Sequence, residues 1–434
     1  MGRSMERRCR RRARSWCVVA VWFAAVRGAA QEPPLPGAPA AGADSTAAVQ
    51  AAAAATDSIP VVPVAQRDLP DVLKKWLFHT RIEAGLEGHF SPGIAWSVLP
   101  TFSYNPVYGF AIGASVAGGG KLGAGPAAKP TALSISGNYS TTGQLQAQFK
   151  GDIFTPSAKH LIKADVRYLD TTRSTWGLGP LEPEQQEYPM DFKLVRLYGT
   201  LFRRVGGVYV GAGYHFDEYS NIVDSRAVAG DSTPFADYSG PGVTRTRASG
   251  LSLNLLADTR DDLINPSAGY FAGSSFRNYG KALGSDANWQ EFWADVRLYP
   301  HLPAGSPNVL AFWLYSWMTF GPAPYLDLPA NGWDTYGRGA RGYIQGRIRG
   351  QDQIYTEFEY RARLTPDGLL GAVFFVNMTV TTLEEQRTFG QSDLGGGLGL
   401  RVKLNKRSRT NITLDHGWGD GGSGGWFLGT TEVF

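Results

Sequence analysis

From about residue 90 to its end, this chain alternates polar and apolar residues with a period of two, and that alternation limits what it can fold into. Glu357 and Glu359, for example, alternate with Phe358 and Tyr360. Side chains on a strand point to the two faces of a sheet in turn, so each strand presents one charged face and one apolar face. The chain is therefore predicted to be all-β. The same pattern runs through residues 144–153, 160–168, 355–364 and 397–404.

The alternation fits either a soluble sandwich or a membrane barrel. In a sandwich the apolar faces share a core, whereas in a membrane barrel they meet lipid and the polar faces line the lumen. The candidate strands approach the roughly 9–11 residues that span a bilayer when tilted. Aromatic residues are 12% of the chain and cluster near strand ends, as interfacial girdles do. After residue 30 no run of about 18 uncharged apolar residues exists, which excludes spanning helices there. These features favour the barrel.

Sixteen candidate strands can be counted, an even number as a closed antiparallel barrel with both termini on one side requires. Closure also removes edge strands, whose backbone groups lipid could not satisfy. The predicted fold is a closed 16-stranded antiparallel transmembrane β-barrel with a long lumen-inserted loop between strands 11 and 12. The strands centre near residues 97, 112, 135, 148, 164, 198, 212, 251, 273, 293, 314, 359, 374, 398, 413 and 429.

Three connections are predicted to be long, near residues 170–191, 221–243 and 321–352. The last is rich in Gly and Arg and too long for a passive turn, which makes it a functional candidate. The strand before it, residues 309–320, is apolar on both faces and includes Trp313. We expect that strand to pack against something inside the lumen.

The segments before the barrel are predicted from their composition. Residues 1–30 have the arginine-rich start, short apolar stretch and small residues of a secretory signal, and the segment is too short for a lone membrane anchor. Residues 31–68 form an Ala- and Pro-rich linker that is predicted to be disordered. Residues 69–89 are a short periplasmic segment in which 71–79 form either one amphipathic helix, docked in the barrel mouth or on the membrane, or a frayed linker end. The barrel occupies 90–434.

Removing the leader changes the charge balance and the cysteine count. It holds eight of the 42 Lys and Arg residues and one of the 38 Asp and Glu residues, which leaves 34 against 37. The slight excess of acidic residues predicts no nucleic-acid partner. Both cysteines, Cys9 and Cys17, also lie in the leader. The remainder therefore has no disulfide and no thiol catalyst.

Two glycine-rich motifs match enzyme signatures, but their surroundings do not. Residues 337–342 fit GxGxxG without the helix or the βαβ unit that a dinucleotide site needs, and residues 421–425 fit GxSxG in what is a hairpin turn. The six histidines show no paired ligand spacing. We expect no enzyme activity, no cofactor and no metal.

The long loop carries the most informative motif, Arg341, Gly342 and Tyr343. It is either a solvated surface loop or a loop folded back into the lumen with Arg341 paired to inward carboxylates, since a buried guanidinium needs such a partner. The alternation places Glu357 and Glu359 on the inward face of the next strand, where arginine can pair with them bidentately.

In this order the motifs resemble those of BamA/TamA-type outer-membrane proteins, the bacterial surface antigen family. The Arg-Gly-Tyr loop resembles the family's V-R-G-F/Y motif, Glu359 begins its E-Y/F-R strand motif, and Asn377 lies where its F-x-D-x-G strand has aspartate. The chain departs from the pattern at Ala340, Asn377, Thr379 and Glu432. The residues similar to the family's D-x-R-D…N-P-x-x-G segment are Asp258, Arg260, Asp261, Asn265, Pro266 and Gly269.

The resemblance implies where the chain acts and what with. Arg341 would pin the loop to Glu359, Glu357 and Asn377, and the terminal strand, with Gly429 and Phe434, would carry the signal read by the barrel-assembly machinery. Residues 31–88 cannot hold a POTRA domain, so the chain resembles short members that lack these domains. The implied function is assembly or translocation of proteins or lipids at the outer membrane of a Gram-negative bacterium. The partners would be outer-membrane lipid, lipopolysaccharide and client outer-membrane proteins. A passive solute pore and a purely structural or adhesion barrel remain the alternatives.

Overall fold

The computed structural model describes residues 66–78, 93–105, 109–125, 128–181, 185–334, 337, 339–382, 388–406, 409–429 and 431–434. The predicted signal at 1–30, nearly all of the linker at 31–68 and residues 79–92 lie outside the described residues.

The described chain is almost entirely antiparallel sheet, which confirms the all-β prediction. Sixteen strands follow one another in chain order, each hydrogen-bonded to the next. Their bounds are β1 (Gly93–Asn105), β2 (Gly109–Lys121), β3 (Pro130–Ser140), β4 (Leu145–Phe154), β5 (His160–Thr175), β6 (Tyr188–Val205), β7 (Val208–Asp224), β8 (Arg245–Asp258), β9 (Tyr270–Tyr279), β10 (Trp289–Leu298), β11 (Val309–Phe320), β12 (Asp352–Arg363), β13 (Leu370–Thr382), β14 (Phe389–Asn405), β15 (Thr410–Gly419) and β16 (Gly424–Gly429).

The two faces of the sheet differ as the alternation predicts. Glu357 and Glu359 are fully buried on one face, which we call the polar face, whereas Phe358 between them is 48% exposed on the other, the apolar face. Such exposed apolar side chains recur on nearly every strand. Examples are Val98, Ile112, Ile135, Leu201, Leu253, Phe276, Phe374, Val376, Leu400 and Trp426. A continuous apolar surface of this extent marks contact with a membrane or a partner.

The first and last strands are neighbours without a ladder between them. Cα atoms of β1 and β16 approach within 8 Å. Within the described residues the hydrogen-bonded order nevertheless runs from β1 to β16 and stops there. β16 is also the shortest strand, with six residues, and pairs with only residues 413–418 of β15. We call the place where these two edge strands lie near each other the seam.

The connections differ in part from their predicted positions. The loop between β11 and β12 spans 321–351, close to its predicted bounds. The predicted long connections at 170–191 and 221–243 are wrong at their ends, because β5 continues to Thr175 and β7 continues to Asp224. Polar residues at these positions resemble loop sequence, so the strands were predicted to end before them. In the structure these residues continue the pairing with the neighbouring strands.

Helices are few and short. Among the residues that the structure describes, none is long and apolar enough to cross a membrane. The α-helices are α1 (Leu69–Phe78), α2 (Ser225–Val228) and α3 (Pro234–Ser239), and single 3-10 turns occupy Lys281–Leu283, Tyr325–Asp327 and Asp420–Gly422.

The largest buried cluster lies on the polar face, around β11. Trp313 and Tyr315 are fully buried there, and the Trp313 ring lies 5.2 Å from the rings of both Tyr355 and Phe434. This packing explains why the strand is apolar on both sides. One side meets the long loop and the C-terminal residues, and the other belongs to the exposed apolar face.

Candidate functional site

The described residues of the long loop, 321–334, 337 and 339–351, lie on the polar face. Asn331 organises the loop, since its side chain accepts a hydrogen bond from the Ile348 amide at 2.7 Å and donates to the Ile344 carbonyl at 3.0 Å. The Asp334 carboxylate accepts from the amides of Gly337 and Gly339, just before the Arg-Gly-Tyr motif. Internal hydrogen bonds of this kind satisfy the backbone groups of the loop and fix its shape.

Close approach to β15 depends on glycines in both partners. Gly342 has φ of 111°, and a Cβ built on it would lie 2.6 Å from the Trp418 carbonyl oxygen. A Cβ on Gly417 would lie 2.7 Å from the Gly342 nitrogen, and one on Gly419 would lie 2.6 Å from the Tyr343 ring. The backbones therefore meet at a distance that any larger residue would prevent.

Arg341 projects from this contact into a cluster of three carboxylates. Its guanidinium donates to Glu357 and Glu359 on β12, and to Asp415 on β15 at 2.7 Å. The guanidinium also lies over the Phe375 ring, 3.7 Å from the ring centroid. Burial alone would lower the pKa of Arg341, but the three carboxylates outweigh burial and hold that pKa well above its usual value. Arg341 therefore carries a permanent charge at 2% exposure.

Tyr343 makes the second attachment of the motif. Its hydroxyl donates to the Leu394 carbonyl and accepts from the Asp420 amide at 2.9 Å, so it bridges the ends of β14 and β15. Burial is the main reason that the pKa of Tyr343 rises to about 12. The hydroxyl thus stays protonated at physiological pH and keeps both of its roles.

Asn377 also contacts the motif, but not as expected. Its side-chain amide donates to the backbone carbonyl of Arg341 at 2.9 Å and does not reach the guanidinium. Asn377 therefore contacts Arg341 through the backbone carbonyl rather than through the guanidinium that the resemblance implied. The third carboxylate comes from Asp415, which the sequence analysis did not single out.

Asp415 connects the loop to the C-terminal residues. Arg401 on β14 donates to Asp415 at 2.5 Å and, through Nε, to Glu432 at 2.8 Å. Asn411 donates to the other oxygen of Glu432 at 2.7 Å. Gly399 leaves room for this pairing, since a Cβ built there would lie 1.8 Å from an Asp415 oxygen. The charges alternate without interruption from the loop to the end of the chain.

The C-terminal tail, residues 431–434, leaves the sheet after β16 and lies on the polar face. The carbonyl oxygen of Phe434 accepts from Arg361 at 2.7 Å, and Glu432 and Phe434 are both about 95% buried. Gly429 is the last residue of β16. The predicted assembly signal placed Gly429 and Phe434 together on the terminal strand. In the structure this strand ends at Gly429, and residues 431–434 contact polar and aromatic partners on other strands.

The D-x-R-D…N-P-x-x-G segment is the turn between β8 and β9. Asp258 accepts two hydrogen bonds from Arg260, at 3.0 and 2.7 Å, and Asp261 accepts from the Ser267 and Ala268 amides. Gly269 has φ of 88°, and a Cβ there would lie 2.3 Å from the Thr259 carbonyl. Burial opposes ionisation of Asp261, but hydrogen bonds from Ser267 and Arg409 outweigh it and lower the pKa.

Arg361 joins this turn to the rest of the site. It donates to the Pro266 carbonyl at 3.0 Å as well as to Glu359 at 2.6 Å and to the Phe434 carbonyl. Asn265 donates to the Arg409 carbonyl at 3.3 Å. The motifs that are separated in sequence thus meet in one charged network, which we call the polar-face network. It comprises Arg341, Glu357, Glu359, Arg361, Arg401, Asp415 and Glu432.

Beside the network lies a cavity of about 340 Å³ on the polar face. Its wall includes the C-terminal tail, the β8–β9 turn and small side chains of β2 and β3, such as Ala117 and Ser134. Among the residues that the structure describes, no group of His, Cys, Asp and Glu is arranged to hold a metal ion. The polar-face network connects the long loop, β12, β14, β15 and the C-terminal tail.

Comparison with known proteins gives structural similarities but no match to a family model or to a curated protein. The chain is similar to BamA from Haemophilus ducreyi lacking POTRA domains 1–3, at 15% identity and a TM-score of 0.49, over 77% of this chain and 70% of that one. It is similar to CdiB from Acinetobacter baumannii at 14% identity and a TM-score of 0.46, over 78% and 64%. A third similarity is to Wzi from Escherichia coli, a carbohydrate-binding β-barrel involved in group 1 capsule assembly, at 9% identity and a TM-score of 0.29, over 79% and 84%.

Proposed function

We propose that the sheet closes into a sixteen-stranded β-barrel in the outer membrane of a Gram-negative bacterium, with the long loop in its lumen. The apolar face supports this, because side chains such as Leu253, 70% exposed, and Val376, 60% exposed, suit lipid. The buried charges of the polar-face network need an enclosed interior. The proximity of β1 to β16 supplies the geometry of closure.

The barrel acts without catalysis, in the assembly or translocation of proteins or lipids at the outer membrane. The observation that carries this proposal is the seam, where β1 and β16 are neighbours without a described ladder. Unpaired edge groups facing lipid are costly, so a strand added at the seam would satisfy them. Addition of a strand to an exposed edge is a recurrent mode of recognition.

The polar-face network keeps this seam available. Glu432 and Phe434 hold the tail away from the edge, so β16 ends at Gly429 and leaves much of the 13-residue β1 without a partner of equal length. Arg341 and Asp415 meanwhile hold the long loop against β15, beside the same edge. A rigid interior next to an unzipped seam allows local opening without loss of the whole fold.

The proposed partners follow from these surfaces. Outer-membrane lipid and lipopolysaccharide contact the apolar face, and client outer-membrane proteins engage the seam. The chain's own insertion would depend on the barrel-assembly machinery, which would read residues 424–434 before the tail folds onto the polar face.

The test is depletion of the protein followed by proteomic and lipid analysis of the outer membrane. We expect specific outer-membrane components to fall. Complementation would then use cysteine pairs between β1 positions Trp96 or Val98 and β16 positions Trp426 or Leu428, with Cys9 and Cys17 replaced by serine. Oxidising a pair that bridges the seam should abolish complementation, and reduction should restore it.

The matched control is a cysteine pair at Leu414 and Leu428, which are ladder partners within β15 and β16. Oxidation of this pair leaves the seam free and should leave complementation intact. Full complementation with a locked seam would overturn the gating proposal. An unchanged outer membrane after depletion would overturn the assembly function and favour a structural barrel.

A passive solute pore is the second candidate, and the cavity on the polar face is the observation that favours it. A pore requires a continuous open lumen, whereas the proposed function requires one occluded by the loop. The single-channel conductance of the purified chain distinguishes an open lumen from an occluded one.

A further inference from the structure

Helix α1 is attached to one end of the sheet by polar contacts at its first turn and just before it. Asp71 forms an ion pair with Lys406 at 2.6 Å, and Asp68 accepts from the Lys406 amide at 3.1 Å. The Arg67 amide donates to the Asp367 carbonyl at 3.1 Å. These contacts hold the helix at the β12–β13 and β14–β15 turns.

Two apolar side chains of α1, those of Leu73 and Trp76, are exposed. Trp76 is 75% exposed and Leu73 is 45% exposed, although both lie on a helix that is anchored to the sheet. A 10-residue helix is marginal in water, and an exposed tryptophan gives it no stability there. We therefore expect another surface to cover Leu73 and Trp76.

The turns that hold α1 lie where the apolar face of the sheet ends. Leu364 and Leu370, which flank the β12–β13 turn, are 57% and 41% exposed. Because the apolar face is the proposed lipid-facing surface, its end marks the boundary between acyl chains and headgroups. Tryptophan is enriched at that boundary because its ring is apolar while its N–H group needs a polar partner.

Resting on the proposed function, we propose that α1 is a membrane-surface anchor that lies in the headgroup layer at this end of the barrel, with Leu73 and Trp76 inserted at the acyl boundary. Its occupant is a phospholipid leaflet, because α1 lies at the end of the apolar face that the proposal places in lipid. Lys75 is exposed on roughly the opposite side of the helix from Leu73. The ion pair of Asp71 with Lys406 fixes the helix at the level of the rim.

The test uses single cysteines labelled with the fluorophore NBD, in the full chain with Cys9 and Cys17 replaced by serine. Leu73→Cys reports the apolar side, and Lys75→Cys, two residues on and so roughly on the opposite side of the helix, is the matched control. Each protein is reconstituted into phosphatidylethanolamine–phosphatidylglycerol vesicles that contain lipid with a doxyl quencher near the headgroup or deep in the chain. Phe374→Cys on the apolar face of β13 reports the barrel itself.

We expect the shallow quencher to reduce the Leu73→Cys emission about twofold more than the Lys75→Cys emission, as insertion at the interface requires. The doxyl-labelled lipid should quench the NBD emission of Phe374→Cys in every case. Equal and weak quenching at both helix positions, with Phe374→Cys quenched, would overturn the anchor and leave the barrel standing. That result would point to a second copy of the chain or the lumen as the surface that covers α1. Absence of quenching at Phe374→Cys would overturn the proposed membrane barrel.

Discussion

Asp415 accepts a hydrogen bond from the Arg341 guanidinium at 2.7 Å, across 74 residues of sequence. The same carboxylate accepts from Arg401, which also pairs with Glu432 in the tail. One side chain on β15 therefore fixes both the long loop and the C-terminal residues. Asp415 therefore connects the long loop directly to β15, which is the ladder partner of β16.

Arg341→Ala should destabilise the folded chain by about 3–5 kcal/mol, because it leaves buried carboxylates without their counter-charge. The largest part of this cost comes from Glu357, because Arg341 is the cation bonded to it among the described residues. The measurement is the temperature at which the folded form disappears in heat-modifiability electrophoresis. Arg341→Ala combined with Glu357→Gln should recover part of the loss. A transition unchanged by Arg341→Ala would contradict the loop lock.

Asn377→Asp should also destabilise, although aspartate is the residue that the family resemblance places there. The amide donates to the Arg341 carbonyl, and a carboxylate cannot, so the change should cost about 1–3 kcal/mol. Asn377→Ala gives the cost of losing the contact without added charge. A gain of stability with aspartate would mean that the new carboxylate pairs with the guanidinium, and would sink this interpretation.

Gly417→Ala should displace the Arg-Gly-Tyr motif from β15. The new methyl group would lie 2.7 Å from the Gly342 nitrogen, and overpacking of this kind costs about 1–3 kcal/mol. Protease cleavage within the long loop should accelerate. Gly199→Ala is the matched control, because a Cβ added at this strand glycine would have no neighbouring atom within 4 Å. Equal cleavage rates for the two variants would show that the close approach does not hold the loop.

Glu432→Ala should release the tail from the polar face. It removes the acceptor of both Arg401 and Asn411. Carboxypeptidase should then digest the C-terminal residues of the folded protein faster than those of the unaltered chain. Glu218→Ala, which removes a carboxylate on β7 that Arg245 and Arg247 of β8 share, should have no such effect. A tail equally resistant in both variants would place its anchorage elsewhere.

Alternation made the strands and their faces predictable, because it depends only on neighbouring residues. Phe358 and Glu357 lie on opposite faces as their order in the sequence requires. Strand ends were less predictable. β5 and β7 continue through polar residues that resemble loop sequence, and only their pairing with neighbouring strands keeps them extended.

Glu357 and Glu359 could be proposed as partners of Arg341 because they follow the loop in sequence. Asp415 could not, since nothing local says that β15 passes beneath the loop. The glycines at 395, 397, 399, 417 and 419 on the polar faces of β14 and β15 were the available signal, because such a face accommodates a close backbone.

The tail was misplaced for a similar reason. Gly429 and Phe434 look like the end of a strand, and only Arg361 and Arg401 on other strands show that the final residues turn onto the polar face. Contacts between segments distant in sequence decided both outcomes.

Single-channel recording of the purified chain in planar bilayers tests most directly whether the chain is a barrel occluded by its own loop. The unaltered chain should show no steady conductance. A variant in which residues 322–350 are replaced by a short Gly-Ser linker, checked for folding by heat-modifiability, should conduct. Equal steady conductance from both would contradict occlusion and favour a passive pore. Silence from both would contradict a closed barrel with the loop in its lumen.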